Sequence, residues 1–228
     1  MEAGLSRALP YLGLAGVWAL YFAAHSLLAT PALKARAARH GARWRRGYRL
    51  AYNLLALVLI LPPVWLTFRL DGPAIITWSG WAWWLAQSAA LLAVLGFLST
   101  LPRYDMRHFL GLRQWRGEAI TDGGVEPWEP LRVSGAHRYV RHPWYFLGLV
   151  VLWTRDLDLA ALVTAGAITG YLIVGSRLEE RKLLAAYGEA YADYRRRVPG
   201  LVPLPGRALS REEAEELARR ANTGGGAP

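Results

Sequence analysis

Side chains able to do chemistry gather in one stretch of an otherwise apolar sequence: Gly135-Ala136-His137-Arg138-Tyr139-Val140-Arg141-His142-Pro143-Trp144-Tyr145-Phe146-Leu147-Gly148. His142 can exchange a proton near neutral pH, and Arg141 is a fixed cation. Pro143 forfeits no hydrogen bond at the first turn of a helix, fixes where that helix begins and favours extended backbone at His142. The N–H groups of such a first turn attract an anion. A second group follows at Arg177-Leu178-Glu179-Glu180-Arg181-Lys182. Its carboxylates are acceptors for hydroxyls or an ammonium. Leu184, Tyr187, Tyr191 and Tyr194 continue the helical face of Glu180, a stripe that can pack and can also wall a ligand. The competing reading of the first stretch is an interfacial anchor, with Arg and His at headgroups and Trp and Tyr in the aromatic belt. His25, inside an apolar run, reads as a helix-packing histidine, and His108 is open to either role.

These two groups meet only if the chain between them doubles back. Runs from Ala8 to Thr30, Tyr48 to Leu70 and Trp78 to Leu101 are each long enough to cross a hydrocarbon core, which takes about 20 residues at roughly 1.5 Å rise. The region from Pro143 to Ser176 is also apolar but is broken by Thr154-Arg155-Asp156-Leu157-Asp158, a polar knot that reads as the tip of a helical hairpin. Its first arm, Pro143 to Trp153, reaches only about 17 Å as a helix. Antiparallel arms return Glu179 and Glu180 to the membrane face of Arg141 and His142. The expected fold is all-α: an integral-membrane bundle of about five transmembrane helices, the last two a hairpin. The last arm continues as a cytoplasmic helix from Arg177 to Arg197, ended by the prolines of Val198 to Pro205.

Lys and Arg number 27 against 17 Asp and Glu, a net charge of +10 that by itself could point to nucleic acid. Seven of the cations lie between Pro31 and Arg49 with no acid among them, seven between Pro102 and His142, and ten after Ser176. Five crossings with the N-terminus outside place all three segments in the cytoplasm, in agreement with the positive-inside rule. The bilayer, not nucleic acid, is therefore the expected partner. The first run is too long for a cleaved signal peptide, and a basic loop and further spans follow it. The absence of Cys excludes a disulfide framework, a thiolate metal site and a Cys nucleophile. An Arg-, Ala- and Leu-rich composition points to a bacterial host, and so to the inner membrane.

A ligand matched to an anion site, to carboxylates for ribose hydroxyls or an ammonium, and to aromatic faces for a soft cation is S-adenosylmethionine; nucleotides and anionic lipids use many of the same groups. The pattern also resembles the isoprenylcysteine carboxyl methyltransferase and phospholipid methyltransferase superfamily of integral-membrane enzymes. Its Arg-His-Pro-x-Tyr turn is matched by Arg141 to Tyr145, its Glu-Glu pair by Glu179-Glu180, and its Tyr-rich helix ending in Val-Pro by Tyr187 to Pro199. His137 departs from it, standing where relatives commonly carry an aromatic residue. Ala24-His25-Ser26-Leu27-Leu28-Ala29, Leu98-Ser99-Thr100 and Gly111-Leu112-Arg113-Gln114 look like the bacterial branch that includes methanethiol S-methyltransferase; Met106-Arg107-His108-Phe109 departs from it.

The resemblance implies an S-adenosylmethionine-dependent methyltransferase that holds its cofactor with Tyr139, Arg141, His142, Pro143, Tyr145, Gly148, Glu179 and Glu180. It implies catalysis by His142, Glu180 and Arg141, without a metal. The expected acceptor is a small lipophilic substrate from the membrane, foremost a thiol such as methanethiol. A lipid or carboxylate acceptor, or a membrane binding protein of the same fold without turnover, are the alternatives. A nicotinamide-dependent reductase is disfavoured by the lack of a Gly-rich dinucleotide fingerprint. A thiol must lose its proton, for which His142 is the first candidate base and Glu180 the second.

Residues 1–205 are read as one membrane methyltransferase-like domain, with N-terminal spans over 8–101 and the catalytic hairpin and helix over 135–199. Residues 206–228 are read as a short charged helix, opened by a Ser210–Glu213 capping box and running to Arg220, and a disordered Gly-rich end from Asn222 to Pro228, the last part dispensable. The segment Arg103 to Leu131 is expected to roof the site, with Trp115 and Trp128 as lid or interfacial residues.

Overall fold

The computed structural model describes residues 2–70, 72–118, 130–133 and 135–224. The chain divides into two compact units. The first comprises Met1–Gln87, Leu98–Pro127 and Trp153–Ile168; the second comprises Ser88–Phe97, Trp128–Leu152 and Thr169–Pro228.

In the first unit α1 (Glu2–Leu28) begins earlier than the expected crossing and carries Pro10 within it. Its last carbonyls, which have no partner within the helix, are taken by Thr30 Oγ1 on Leu27 O and by Tyr48 OH on Leu28 O, both at 2.7 Å. Thr30 then caps α2 (Pro31–Ala38). The expected crossing from Tyr48 to Leu70 is two helices, α3 (Ala42–Leu59) and α4 (Leu61–Arg69), which meet at Ile60. Pro62 and Pro63 lack the N–H groups that would have continued the ladder, so the junction falls just before them.

Leu14 and Trp18 of α1 form the core of this unit with Ala160, and Val64, Leu66 and Val163 close around them. The polar groups inside it are paired: Trp18 Nε1 donates to Thr164 Oγ1 at 3.0 Å, and the Thr67 and Thr164 hydroxyls are 2.7 Å apart. The polar knot after Trp153 forms β2 (Leu157–Asp158), which pairs antiparallel with β1 (Ala74–Ile76). Asp158 then accepts from Ala161 N at 2.7 Å, capping the helix that follows.

The second unit contains α8 (Pro143–Trp153), α10 (Arg211–Gly224) and most of α9 (Leu159–Arg197). Part of α5 (Gly80–Thr100) belongs to it, where Phe97 lies 5.0 Å from the Trp144 ring and Gly96 leaves room for Leu147. The core gathers Val133, Tyr191, Tyr194, Val198, Leu209, Ala214 and Leu217. α9 runs from the return arm through Arg177 without a break, the continuation expected from the sequence. Only Gly188 breaks it, at φ 54° and ψ −133°.

The capping box is present, with Ser210 N on Glu213 at 2.7 Å and Glu213 N on Ser210 Oγ at 3.1 Å. The Ser210 backbone N–H, the Ser210 hydroxyl and the Arg197 guanidinium hold the Glu213 carboxyl below its ordinary range. The end of the chain differs from expectation. α10 runs past Arg220, and Asn222 is ordered, bonding both N and O of Leu131. Ala214, Leu217 and Ala221 are buried, so this helix is part of the core. The expected disorder at residues 225–228 concerns positions outside the described residues, as does Trp128.

Among the described residues four stretches are long and apolar enough to cross a membrane: Ala8–Leu28, Ala42–Arg69, Gly80–Thr100 and Leu159–Arg197. α8, with 11 residues, is the short arm expected from its sequence. The fold is a helical membrane bundle.

Candidate active site

Backbone hydrogen bonds fix the turn before α8 to the segment after α9. Arg141 N donates to Pro199 O at 2.9 Å and His142 N to Gly200 O at 3.0 Å. Arg138 and Leu209 bond reciprocally, Leu209 N to Arg138 O and Arg138 Nε to Leu209 O, and Tyr194 OH donates to His137 O at 2.6 Å. Pro143 begins the helix as its first residue and is buried. His142 is therefore held on both sides by rigid backbone, and its side chain is only 6% exposed.

Glu180 lies across from this turn, its side chain 10% exposed. Its Oε1 accepts from Arg141 Nε at 2.8 Å, lies 2.6 Å from Arg141 Nη2, and is 3.1 Å from His142 Nε2. Arg141 Nη1 turns the other way, to the carbonyls of Arg195 (2.9 Å) and Val198. One guanidinium thus neutralises a buried acid and also ties down the C-terminal end of α9, an arrangement stable only with every donor used. His142 Nδ1 faces Glu179 Oε2 at 3.5 Å, and Tyr145, stacked on the imidazole at 5.3 Å and 12°, donates to the same oxygen at 3.4 Å. Glu179 is half exposed and has room to move.

Beside the pair opens a cleft of about 570 Å³, lined by Arg141, Ser176, Arg177, Glu180, Arg181, Arg195 and Gly200 among others. It is of small-molecule size and predominantly cationic. The structure thus brings together Arg141, His142, Tyr145, Glu179 and Glu180. Tyr139 is half exposed, with the Arg138 guanidinium over its ring, and Gly148 lies one turn beyond Tyr145 with open space at its Cα. Tyr191 and Tyr194 are buried in the core, so the aromatic stripe serves packing.

Over 195 residues, 81% of its length, the chain is 32% identical to methanethiol S-methyltransferase 2 of Bradyrhizobium diazoefficiens and covers 70% of that protein. The chain belongs to the methanethiol S-methyltransferase family. A second member, the methanethiol S-methyltransferase of Mycobacterium tuberculosis, is 37% identical over 173 residues, 70% of this chain. The alignment covers 65% of that relative, just under two thirds of its length. Nurim of Rattus norvegicus is 29% identical over 172 residues, 72% of this chain and 64% of its own. No family model and no solved structure matches the chain.

The Bradyrhizobium and Mycobacterium relatives are both named as methyltransferases, the class implied by the sequence motif. Arg195 and Gly200 were not among the residues singled out from the sequence, and Arg177 and Arg181 were named in the second group without a role in the site. Arg177 and Arg181 stand three before and one after Glu180, on one helical face, a spacing that was available. Gly200 follows the Val198-Pro199 pair, but its approach to Arg141, 3.2 Å from the position a Cβ would take, is a tertiary fact. His25 pairs with Tyr52 OH at 2.7 Å, and His108 N bonds Asp105 at 3.0 Å; both belong to the first unit.

Proposed function

We propose that the chain transfers a methyl group from S-adenosylmethionine to a small lipophilic thiol, such as methanethiol, that reaches the site through the bilayer. What supports this reading is one arrangement: a buried His142 between two carboxylates, beside an arginine-rimmed cleft. The names of the family members supply the acceptor class. The donor fits the residues present. Arg177, Arg181 and Arg195 would take its carboxylate, Glu179 its ammonium or ribose hydroxyls, and Tyr145 offers an aromatic face to a sulfonium. Bound there, S-adenosylmethionine would supply a methyl on a positively charged sulfur, and transfer to a thiolate cancels two charges, which favours a dry site.

The residues of the chain divide the remaining work. Arg141 holds Glu180 ionised and in place. Glu180 accepts Nε2–H of His142, which leaves the Nδ1 lone pair as the proton acceptor. A thiol proton arriving at Nδ1 is stabilised by Glu179, which Nδ1 already faces. Glu180 is thus a positioning residue and His142 the base. The N-terminus lies outside and the C-terminus in the cytoplasm of a bacterial inner membrane, the orientation in which each strongly basic segment stays inside.

Purified protein in detergent, given S-adenosylmethionine and methanethiol, should release dimethyl sulfide, measured by headspace gas chromatography. His142→Ala and Glu180→Ala should each lower that rate by about 100-fold or more while circular dichroism remains that of the folded protein. Wild-type rates in both variants would remove the assignment. Methyl esters formed from fatty acids, with no sulfide from thiols, would move the acceptor to a carboxylate.

A further inference from the structure

The first unit carries a cationic surface that the methyl-transfer reading does not use. Between Pro31 and Arg49 there are seven cations and no acid. Arg36, Arg39, Arg43 and Arg45 are all exposed, and none forms an ion pair with a described residue. Between Arg43 and Arg45 projects Trp44, 63% exposed. α6 (Met106–Leu110) and α7 (Leu112–Arg116) pack on α3 and extend this surface with Arg107, Arg116 and Trp115, the last 48% exposed. They cannot drift from it. Gly111, at φ 90°, joins them, and a Cβ there would lie 2.6 Å from Leu50 N; Arg49 Nε and Asn53 Nδ2 both bond Phe109 O. The nearby acids Asp105 and Glu118 are both engaged by Arg113.

Charge-based orientation requires cations on the right side of the membrane. It does not require them unpaired, rigidly mounted and interleaved with exposed indoles. Cations at headgroup height with Trp between them are the features that bind an anionic lipid surface. We infer that the α2–α3 corner, extended by α6 and α7, binds the headgroups of anionic glycerophospholipids of the surrounding bilayer. The bilayer in which α1 and α3 are embedded brings those phosphates to this surface, and the charges are complementary. This inference needs the membrane fold but not the methyl-transfer reading.

The test is native mass spectrometry of the full chain in detergent, equilibrated with equimolar phosphatidylglycerol and phosphatidylcholine of the same acyl chains. Wild-type protein should retain phosphatidylglycerol at least about fivefold over phosphatidylcholine. The variant Arg36→Gln/Arg39→Gln/Arg43→Gln/Arg45→Gln should bring the ratio close to one, whereas Arg219→Gln/Arg220→Gln on α10 should leave it unchanged. Wild-type protein alone gives a second arm: raising salt from about 0.05 to about 0.5 M should abolish most of the preference, as screening requires. No lipid preference, a preference untouched by the fourfold variant or by salt, or tight binding of single-stranded RNA that phosphatidylglycerol does not displace would overturn the proposal.

Discussion

Two basic regions of this chain look alike in the sequence and behave differently in the structure. Between Pro31 and Arg49 the cations Arg36, Arg39, Arg43 and Arg45 stand exposed with no acid in the segment; between Arg177 and Gly200 the cations Arg177, Arg181 and Arg195 line a cleft with Glu180, which is buried and bonded to Arg141 and His142. The difference lies in what each charge faces. A cation facing water or headgroups contributes to orientation and surface binding, and its loss leaves the fold intact. A cation facing a buried carboxylate cannot be removed without leaving that carboxylate uncompensated.

The sharpest way to break the contrast is to remove the paired cation. Arg141→Ala strands the Glu180 carboxylate and two backbone carbonyls, and chemical denaturation in detergent should show a loss of about 3–5 kcal/mol, together with loss of donor binding. A loss as small as that of a surface arginine would erase the distinction. Next in size, Leu217→Ala opens a cavity in the core that carries the site's C-terminal support, and should cost about 2–5 kcal/mol by the same measurement. It should leave donor affinity within a few-fold, because Leu217 belongs to the apolar core and does not line the cleft.

Gly200→Ala sharpens the comparison at one atom. Its Cβ would lie 3.2 Å from Arg141 Nη2, so it should destabilise by about 1–3 kcal/mol and weaken donor binding as Arg141 shifts. Glu213→Gln should lower the melting temperature slightly at neutral pH. Its folded pKa is depressed, by Ser210 first and by Arg197 last, so the stabilisation is present above the unfolded value and is lost as pH falls through the folded value. The deficit should therefore vanish in acid. The smallest effect belongs to the exposed cations of α2 and its C-cap: Arg36→Gln/Arg39→Gln should change stability by no more than about 0.5 kcal/mol.

Much of this was legible in the sequence, and for physical reasons. Long uncharged runs announce membrane helices because the bilayer core has a fixed thickness. The spacing of Pro143 and Glu180 on two antiparallel arms was enough to expect them at one membrane face, and the 3.1 Å contact between His142 and Glu180 agrees. What was not legible depended on contacts made after folding. Tyr187, Tyr191 and Tyr194 keep the spacing of a ligand wall, but α10 covers that face and turns Tyr191 and Tyr194 into core. The Gly-rich end around Asn222 reads as disordered until Leu131 is found to accept and donate to its amide. The cleft's arginines were visible as charges, whereas their convergence depends on Pro199 and Gly200 returning to bond Arg141 and His142.

The most direct test of the account is the equilibrium affinity of S-adenosylhomocysteine, measured by calorimetry on the wild-type chain and on Glu180→Gln, which keeps the shape and removes the charge. If Glu180 holds Arg141 and His142 in place at the donor site, affinity should fall at least about tenfold in a protein that remains folded. Equal affinity in the two proteins would mean that the donor site lies elsewhere.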